Sequence, residues 1–131
     1  MNILIDTHYL IWSYLDIDKI KPSIYKELLN EENTVYYSQA SLWEISIKYN
    51  LGKIILNGIS PEELYAEIEN GFFKCKKLEN MELVSFYKLP IEHRDPFDRL
   101  MIWQCIQSDL FFASADREIL KYQKYGLKIV S

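Results

Sequence analysis

The amino-acid sequence predicts an α/β protein whose mostly parallel sheet is covered by helices on both faces. Short apolar or β-branched segments alternate along the chain with segments in which apolar residues recur at helical spacing. Strands and helices that alternate in this way form right-handed crossovers, which make neighbouring strands parallel. Since the 131 residues contain no internal repeat and no Gly/Ser-rich linker, we expect a single domain over residues 1–131.

The first third of the chain begins with a strand that is followed by helical segments. Residues 2–6 form a short apolar run that ends in an acid, which indicates a buried strand. Residues 7–15 carry apolar side chains at helical spacing, and residues 21–33 form a second predicted helix with Pro22 near its start. Both helices therefore lie in the connection between the first strand and the second.

The middle third of the chain has the clearest helix signals. Residues 34–38 are β-branched and aromatic, which predicts a strand, and residues 40–52 form an amphipathic helix. Residues 60–71 form the next predicted helix, because Ser60 suits its N-cap and Glu63 completes a capping box with it.

The last third continues the alternation of strands and helices. Residues 72–78 are predicted as a short strand, and residues 80–89 as a helix that Pro90 ends. We further predict helices over residues 95–109 and 116–126, and strands over residues 110–115 and 127–131.

The composition is that of an ordinary globular protein. The hydrophobic content is 49%, and no apolar run approaches the ~20 residues that a membrane span needs. Asp6 interrupts the N-terminal apolar run too early for a signal peptide, so we expect a cytoplasmic protein. With a net charge of −4, contact with nucleic acid would depend on a local basic patch. Cys75 and Cys105 form no metal-binding or redox motif, and we predict two buried thiols.

Three acids follow predicted strands. Asp6 ends the first strand, Asp116 follows the strand 110–115, and Glu44 lies in the first turns of the helix after the second strand. Because the carboxyl ends of parallel strands meet at one edge of a sheet, we expect these carboxylates to lie close together. Asp95 and Asp98 open a helix and join them only if the preceding segment returns to that edge.

Each of these acids also has a structural interpretation. Glu44 is spaced to close a capping box with Ser41 or to pair with Lys48 one helical turn away. Asp95 and Asp116 suit helix N-caps. A carboxylate at the end of an apolar strand is harder to explain in this way, because its burial is costly without a compensating partner or metal.

Clustered carboxylates predict a divalent metal site. They repel one another and raise each other's pKa, and Mg²⁺ or Mn²⁺ removes that conflict through oxygen ligands. A bound metal can activate a water for attack on phosphorus. The sequence has no cluster of His and Cys ligands, and His8 and His93 are better explained by surface or packing roles. Phosphodiester hydrolysis therefore fits better than zinc chemistry.

Four segments in this order carry a resemblance to a known family: ILIDTHYLIW, SQASLWEISIKYNLGKI, LPIEHRDPFDRLMIWQC and ASAD. With them the chain resembles PIN-domain proteins of the VapC-type toxin ribonuclease group over residues 3–130. The resemblance implies a three-layer α/β/α sandwich and Mg²⁺- or Mn²⁺-dependent cleavage of RNA. It also implies a cognate antitoxin and a homodimer. The alternative is a catalytically inactive PIN-like module that binds RNA or a protein.

The resemblance also implies the roles of individual residues. The catalytic and metal-binding acids would be Asp6, Glu44, Asp98 and Asp116. Asp98 is preferred to Asp95 as the third acid, and this choice stays open because Trp103 stands where the family has a small residue. Accessory roles fall to Asp95, Thr7 and Ser114, and the candidates for contact with the RNA backbone are Arg94, Arg99 and Lys48. For these three basic residues, surface ion pairing is the alternative.

Overall fold

The computed structural model describes residues 1–131. Five parallel strands form one sheet in the order β3-β2-β1-β4-β5. The strands are β1 (Asn2–Ile5), β2 (Thr34–Ser38), β3 (Lys74–Lys76), β4 (Phe111–Ala113) and β5 (Lys128–Ile129). The helices are α1 (Thr7–Leu15), α2 (Pro22–Leu29), α3 (Gln39–Asn50), α4 (Pro61–Glu69), α5 (Asn80–Ser85) and α6 (Pro96–Ser108). Shorter 3-10 segments cover Ile17–Lys19 and Phe86–Lys88, and a longer one covers Arg117–Tyr125.

The helices cover both faces of the sheet, which confirms the predicted α/β/α sandwich. Because side chains alternate along a strand, Ile3 and Ile5 of β1 pack on one face with α1, α2, α3 and α4. Leu4 packs on the other face with Phe112, α6 and the segment Arg117–Tyr125. All three β1 side chains are fully buried, so β1 is the centre of the sheet. None of the helices has both the length and the apolar composition that crossing a membrane requires.

Several predicted boundaries need correction, and local hydrogen bonds explain two of them. Helix α2 ends at Leu29 because Asn30 and Asn33 form a turn, in which the Asn33 amide donates to the Glu27 carbonyl oxygen. Strand β4 ends at Ala113 because the Ser114 hydroxyl accepts the Asp116 N–H, which starts a turn.

Three further predictions are corrected or confirmed. The segment predicted as a helix over 80–89 divides into α5 and a 3-10 turn, and the one over 116–126 is a 3-10 helix. The capping box of Ser60 and Glu63 is present. The prediction of two buried thiols is right for Cys105 and wrong for Cys75, which is exposed on the edge strand β3; both are free.

The strand order determines where the acids meet. The chain leaves β1 towards β2 on one side, and β4 returns on the other side of β1. Such a change of direction opens a crevice beyond the carboxyl ends of the strands. Asp6 follows β1 there and Ser114 follows β4. Helix α6 also begins at this edge, since its Asp98 approaches the residues that follow β4.

Candidate metal centre

Asp6 lies buried at this edge of the sheet, directly after β1. Its side chain is 2% exposed and caps α1, with Oδ1 accepting the Tyr9 N–H at 2.8 Å. Oδ2 accepts the Ser114 hydroxyl at 2.7 Å and the Ala115 N–H at 3.0 Å. Burial raises the pKa of Asp6, and these hydrogen bonds act against that rise. Asp6 therefore joins the start of α1 to the turn after β4 and keeps one acceptor position free.

Glu44 lies on the α3 side of the crevice and is 1% exposed. The Thr7 hydroxyl donates to Oε1 and also lies 2.8 Å from the Ser41 hydroxyl, while Lys48 pairs with Oε2. The pairing with Lys48 that the sequence allowed is therefore present. The capping box with Ser41 is not, because Ser38 is the N-cap of α3.

Lys48 connects Glu44 to a second acid. Its Nζ lies 3.2 Å from Oδ2 of Asp95. Asp95 caps α6 as the sequence predicted, accepting the N–H groups of Phe97 and Asp98 at 2.8 and 3.2 Å. Burial acts to raise the pKa of Asp95, but the hydrogen bonds from Lys48 and from these amides outweigh it, and the pKa is lowered.

Asp98 has a different environment, although it lies only one turn further along the chain. Its carboxylate accepts no hydrogen bond, and its Oδ2 lies 3.4 Å from Nε2 of His93. Burial, with the nearby charges of Asp95, Glu44 and Asp6, raises the pKa of Asp98 to about 7. The Asp98 side chain is 16% exposed. A largely buried carboxylate that accepts no hydrogen bond has free lone pairs and little compensation for its charge.

His93 and Asp116 complete the cluster. Nε2 of His93 lies 2.6 Å from Oδ2 of Asp116. One ligand atom from each of His93, Asp98 and Asp116 lies within 4.8 Å of the other two. Burial acts to raise the pKa of Asp116, but the Glu118 N–H and His93 outweigh it, and the pKa is lowered. The sequence favours a surface or packing role for His93, but its ring is 10% exposed and hydrogen-bonded to Asp116 within the acid cluster. The sequence signal for this was its place next to the acid pair of the α6 N-terminus.

The structure thus brings the predicted acids into one electrostatic cluster but not into one ligand shell. Asp98 and Asp116 lie together, and Asp6 is joined to them through the Ser114 turn. Glu44 and Asp95 share the single positive charge of Lys48 on the far side. The donor set, oxygen-rich with one carboxylate that lacks any donor, fits a hard divalent cation such as Mg²⁺ or Mn²⁺.

The three basic residues predicted for RNA contact have different environments. Arg94 is exposed beside the acid cluster. Arg99 turns away from it, because one Nη donates to the Leu89 carbonyl oxygen at 3.2 Å and the guanidinium stacks 4.7 Å from the centre of the Phe86 ring. Lys48 is held by its two carboxylates. Arg94 alone of the three is free for a backbone contact.

Replacement of Lys48 by Met is expected to destabilise the metal-free protein at neutral pH. The free energy of unfolding at pH 7 should fall by roughly 1–3 kcal/mol, because the buried Glu44 and the part-buried Asp95 lose their counter-charge. A lowered pKa such as that of Asp95 stabilises the fold above the unfolded value near 4, and the stabilisation disappears as the pH falls below it. Urea unfolding at pH 7 and pH 3 measures the difference.

Lys53→Met is the matched control for this substitution, since Lys53 is exposed and forms no ion pair. A loss for Lys48→Met that is equally large at pH 3 would contradict the electrostatic explanation.

The chain is similar to known proteins over nearly its whole length. A family model described as PIN domain matches residues 3–125. A solved structure of VapBC2 from Rickettsia felis, bound to a DNA fragment from their promoter, is 18% identical with a TM-score of 0.67, and the match covers 98% of this chain and 97% of that one. No curated protein matches the chain in sequence.

Two further solved structures are similar to a comparable degree. VapBC-1 from nontypeable Haemophilus influenzae is 13% identical with a TM-score of 0.66, and the match covers 98% of this chain and 96% of that one. DNA-bound VapBC from Salmonella typhimurium is 17% identical with the same TM-score and the same coverage. The TM-scores establish that these chains share a fold, and at such low sequence identities they establish the fold alone.

Proposed function

Because this chain belongs to the PIN domain family, we propose that it is a metal-dependent endoribonuclease and the toxin of a toxin–antitoxin pair. The observation that supports the proposal is the Asp98 carboxylate, which is largely buried among other acids without a hydrogen-bond donor and lies beside Asp116. Such a carboxylate is costly to keep ionised unless a cation binds it. Phosphodiester hydrolysis is the chemistry that this donor set suits best.

Asp98 and Asp116 would bind Mg²⁺ or Mn²⁺ together with Asp6, and Glu44 would complete the acidic wall. A bound ion of this kind lowers the pKa of a water molecule and stabilises charge on phosphate oxygens. The protein's part is to position the acids: Ser114 orients Asp6, and Thr7 orients Glu44.

Asp95 caps α6 and is the accessory acid of the proposed site. Arg94 lies exposed on the segment before α6, and its proposed role is to contact a phosphate of the RNA backbone.

A protein partner is part of the proposal. The structures similar to this chain include VapBC complexes matched over nearly their whole length, which supports an antitoxin as the partner of this chain. A homodimer is proposed with it. Exposed apolar side chains on and after α5 offer a surface that a protein would cover, and they are Met81, Val84, Tyr87 and Ile91.

The test is RNA cleavage by the purified chain, freed of any partner, in Mg²⁺, in Mn²⁺ and in EDTA. We expect metal-dependent cutting of total cellular RNA that Asp116→Asn slows by about 100-fold or more, as loss of a metal ligand would. Asp109→Asn is the control, because Asp109 is 87% exposed at the far end of α6 in a left-handed conformation that Asn tolerates. RNA binding without cutting under either metal would contradict the proposal and favour the inactive module.

A further inference from the structure

One buried hydroxyl fixes the segment that leads into α6. Tyr122 is fully buried, and its hydroxyl accepts the backbone N–H groups of Glu92 and His93 at 2.8 and 3.0 Å. The same hydroxyl donates to the Pro90 carbonyl oxygen at 2.8 Å. A phenol has one proton and two accepting positions, so this hydroxyl is saturated by a single short segment of chain. Residues 90–93 thus have one backbone arrangement that satisfies it.

That segment presents His93 to the acid cluster in a defined orientation. The Asp95 backbone N–H lies 3.0 Å from Nδ1 of His93. A backbone nitrogen can only donate, so Nδ1 must be the accepting nitrogen, and the ring proton is on Nε2. Nε2 then donates to Oδ2 of Asp116 at 2.6 Å, with Asp98 on the same side at 3.4 Å.

This arrangement decides what His93 does in the cluster. A histidine that binds metal through Nε2 needs its lone pair there, and it donates the N–H of its other nitrogen to an acceptor. His93 has the opposite pattern, because its other nitrogen faces a donor. His93 is therefore a hydrogen-bond donor to Asp116, although its distances alone would allow it to be a ligand.

We infer that Tyr122 is a positioning residue of the metal centre: its hydroxyl fixes residues 90–93, which hold the His93 N–H on Asp116 and so orient that carboxylate beside Asp98. The hydroxyl touches neither metal nor substrate and acts through His93. The inference rests on the proposed function only in that a divalent ion binds these acids. Orienting contacts of this kind typically change metal affinity by about 10- to 100-fold.

The test uses Tyr122→Phe, which removes the hydroxyl and keeps the ring in the core. Calorimetric titration of the full chain with Mn²⁺ should show an affinity about tenfold weaker than that of the wild type. The ¹⁵N signals of the His93 ring in the metal-free protein should change from one tautomer, protonated at Nε2, to a mixture. Tyr37→Phe is the control, because Tyr37 is a buried tyrosine on the opposite face of the sheet; its Mn²⁺ affinity should equal that of the wild type.

A double-mutant cycle separates positioning from a general structural loss. His93→Ala should weaken Mn²⁺ binding as Tyr122→Phe does, and the two together should cost little more than either alone. Additive losses, or a folded Tyr122→Phe variant with wild-type affinity and an unchanged His93 tautomer, would overturn the inference. A wild-type chain that binds no Mn²⁺ would instead refute the proposed function, and the ring signals would still show whether Tyr122 fixes His93.

Discussion

Asp98→Asn is expected to stabilise the metal-free protein above pH 7 while it abolishes RNA cleavage. The pKa of Asp98 is raised to about 7 from its usual 3.8. A raised carboxyl pKa favours the fold fully below the unfolded pKa, and this contribution is lost as the pH rises through the folded value. Above pH 7 the folded protein carries a largely buried charge that accepts no hydrogen bond, and the amide removes that charge. Because a tenfold change in proton affinity corresponds to roughly 1.4 kcal/mol, the gain at pH 8 should be about 2–4 kcal/mol.

Urea unfolding in EDTA at pH 4, 5 and 8 measures this gain. It should be near zero at pH 4, intermediate at pH 5 and largest at pH 8. Adding Mn²⁺ at pH 8 should stabilise the wild type and not the variant. The difference in free energy of unfolding between them should therefore become smaller or change sign. Asp109→Asn, at an exposed position, should change the free energy of unfolding by no more than about 0.5 kcal/mol at any of these pH values. A loss of stability for Asp98→Asn at pH 8 would contradict the conclusion that the Asp98 charge destabilises the metal-free fold.

Asp95→Asn provides the comparison that decides between the two acids of the α6 N-terminus. Asparagine keeps the N-cap and loses only the charge that faces Lys48. We therefore expect a smaller loss of cleavage than for Asp98→Asn and no stabilisation at pH 8. Equal or reversed losses of cleavage would make Asp95 the metal ligand.

The fold was predictable from the sequence because its signals are local. The apolar run of β1, the capping box at Ser60 and the Asp95–Pro96 start of α6 each depend on residues a few positions apart. Parallel topology then determined that Asp6 and the acid after β4 share one edge. These signals did not predict which acids pair with Lys48 and which accept no hydrogen bond.

What the sequence could not supply are contacts between distant residues. Lys48 meets Asp95 across 47 positions, and the His93 backbone meets the Tyr122 hydroxyl across 29. No periodicity or motif encodes such a pair, since each depends on how whole elements pack. These contacts nevertheless decide which carboxylates pair with Lys48 and which stay without a hydrogen-bond donor. The role of His93 was missed for the same reason, because its tautomer is set by the Asp95 amide in the folded loop.

Asp6→Asn is also expected to abolish cleavage. Unlike Asp98→Asn, however, it should lower the free energy of unfolding. Each oxygen of Asp6 accepts a backbone N–H, Oδ1 from Tyr9 and Oδ2 from Ala115. An asparagine has one accepting atom, so either orientation of its amide places an NH₂ group against one of these donors. At a site that is 2% exposed, leaving a donor unsatisfied should cost about 1–3 kcal/mol.

The measurement belongs at pH 5 rather than pH 8, because the pKa of Asp6 is also raised by burial. By the sign rule for a raised carboxyl pKa, the cost of its charge grows with pH and would partly hide the lost hydrogen bonds at pH 8. At pH 5, Asp6→Asn should unfold at a lower urea concentration than the wild type and Asp98→Asn at a higher one. A stabilised Asp6→Asn protein at pH 5 would mean that its amide contacts contribute little. If the two variants change the stability in opposite directions, Asp6 holds α1 to the turn after β4, whereas Asp98 bears a charge that the fold alone does not compensate.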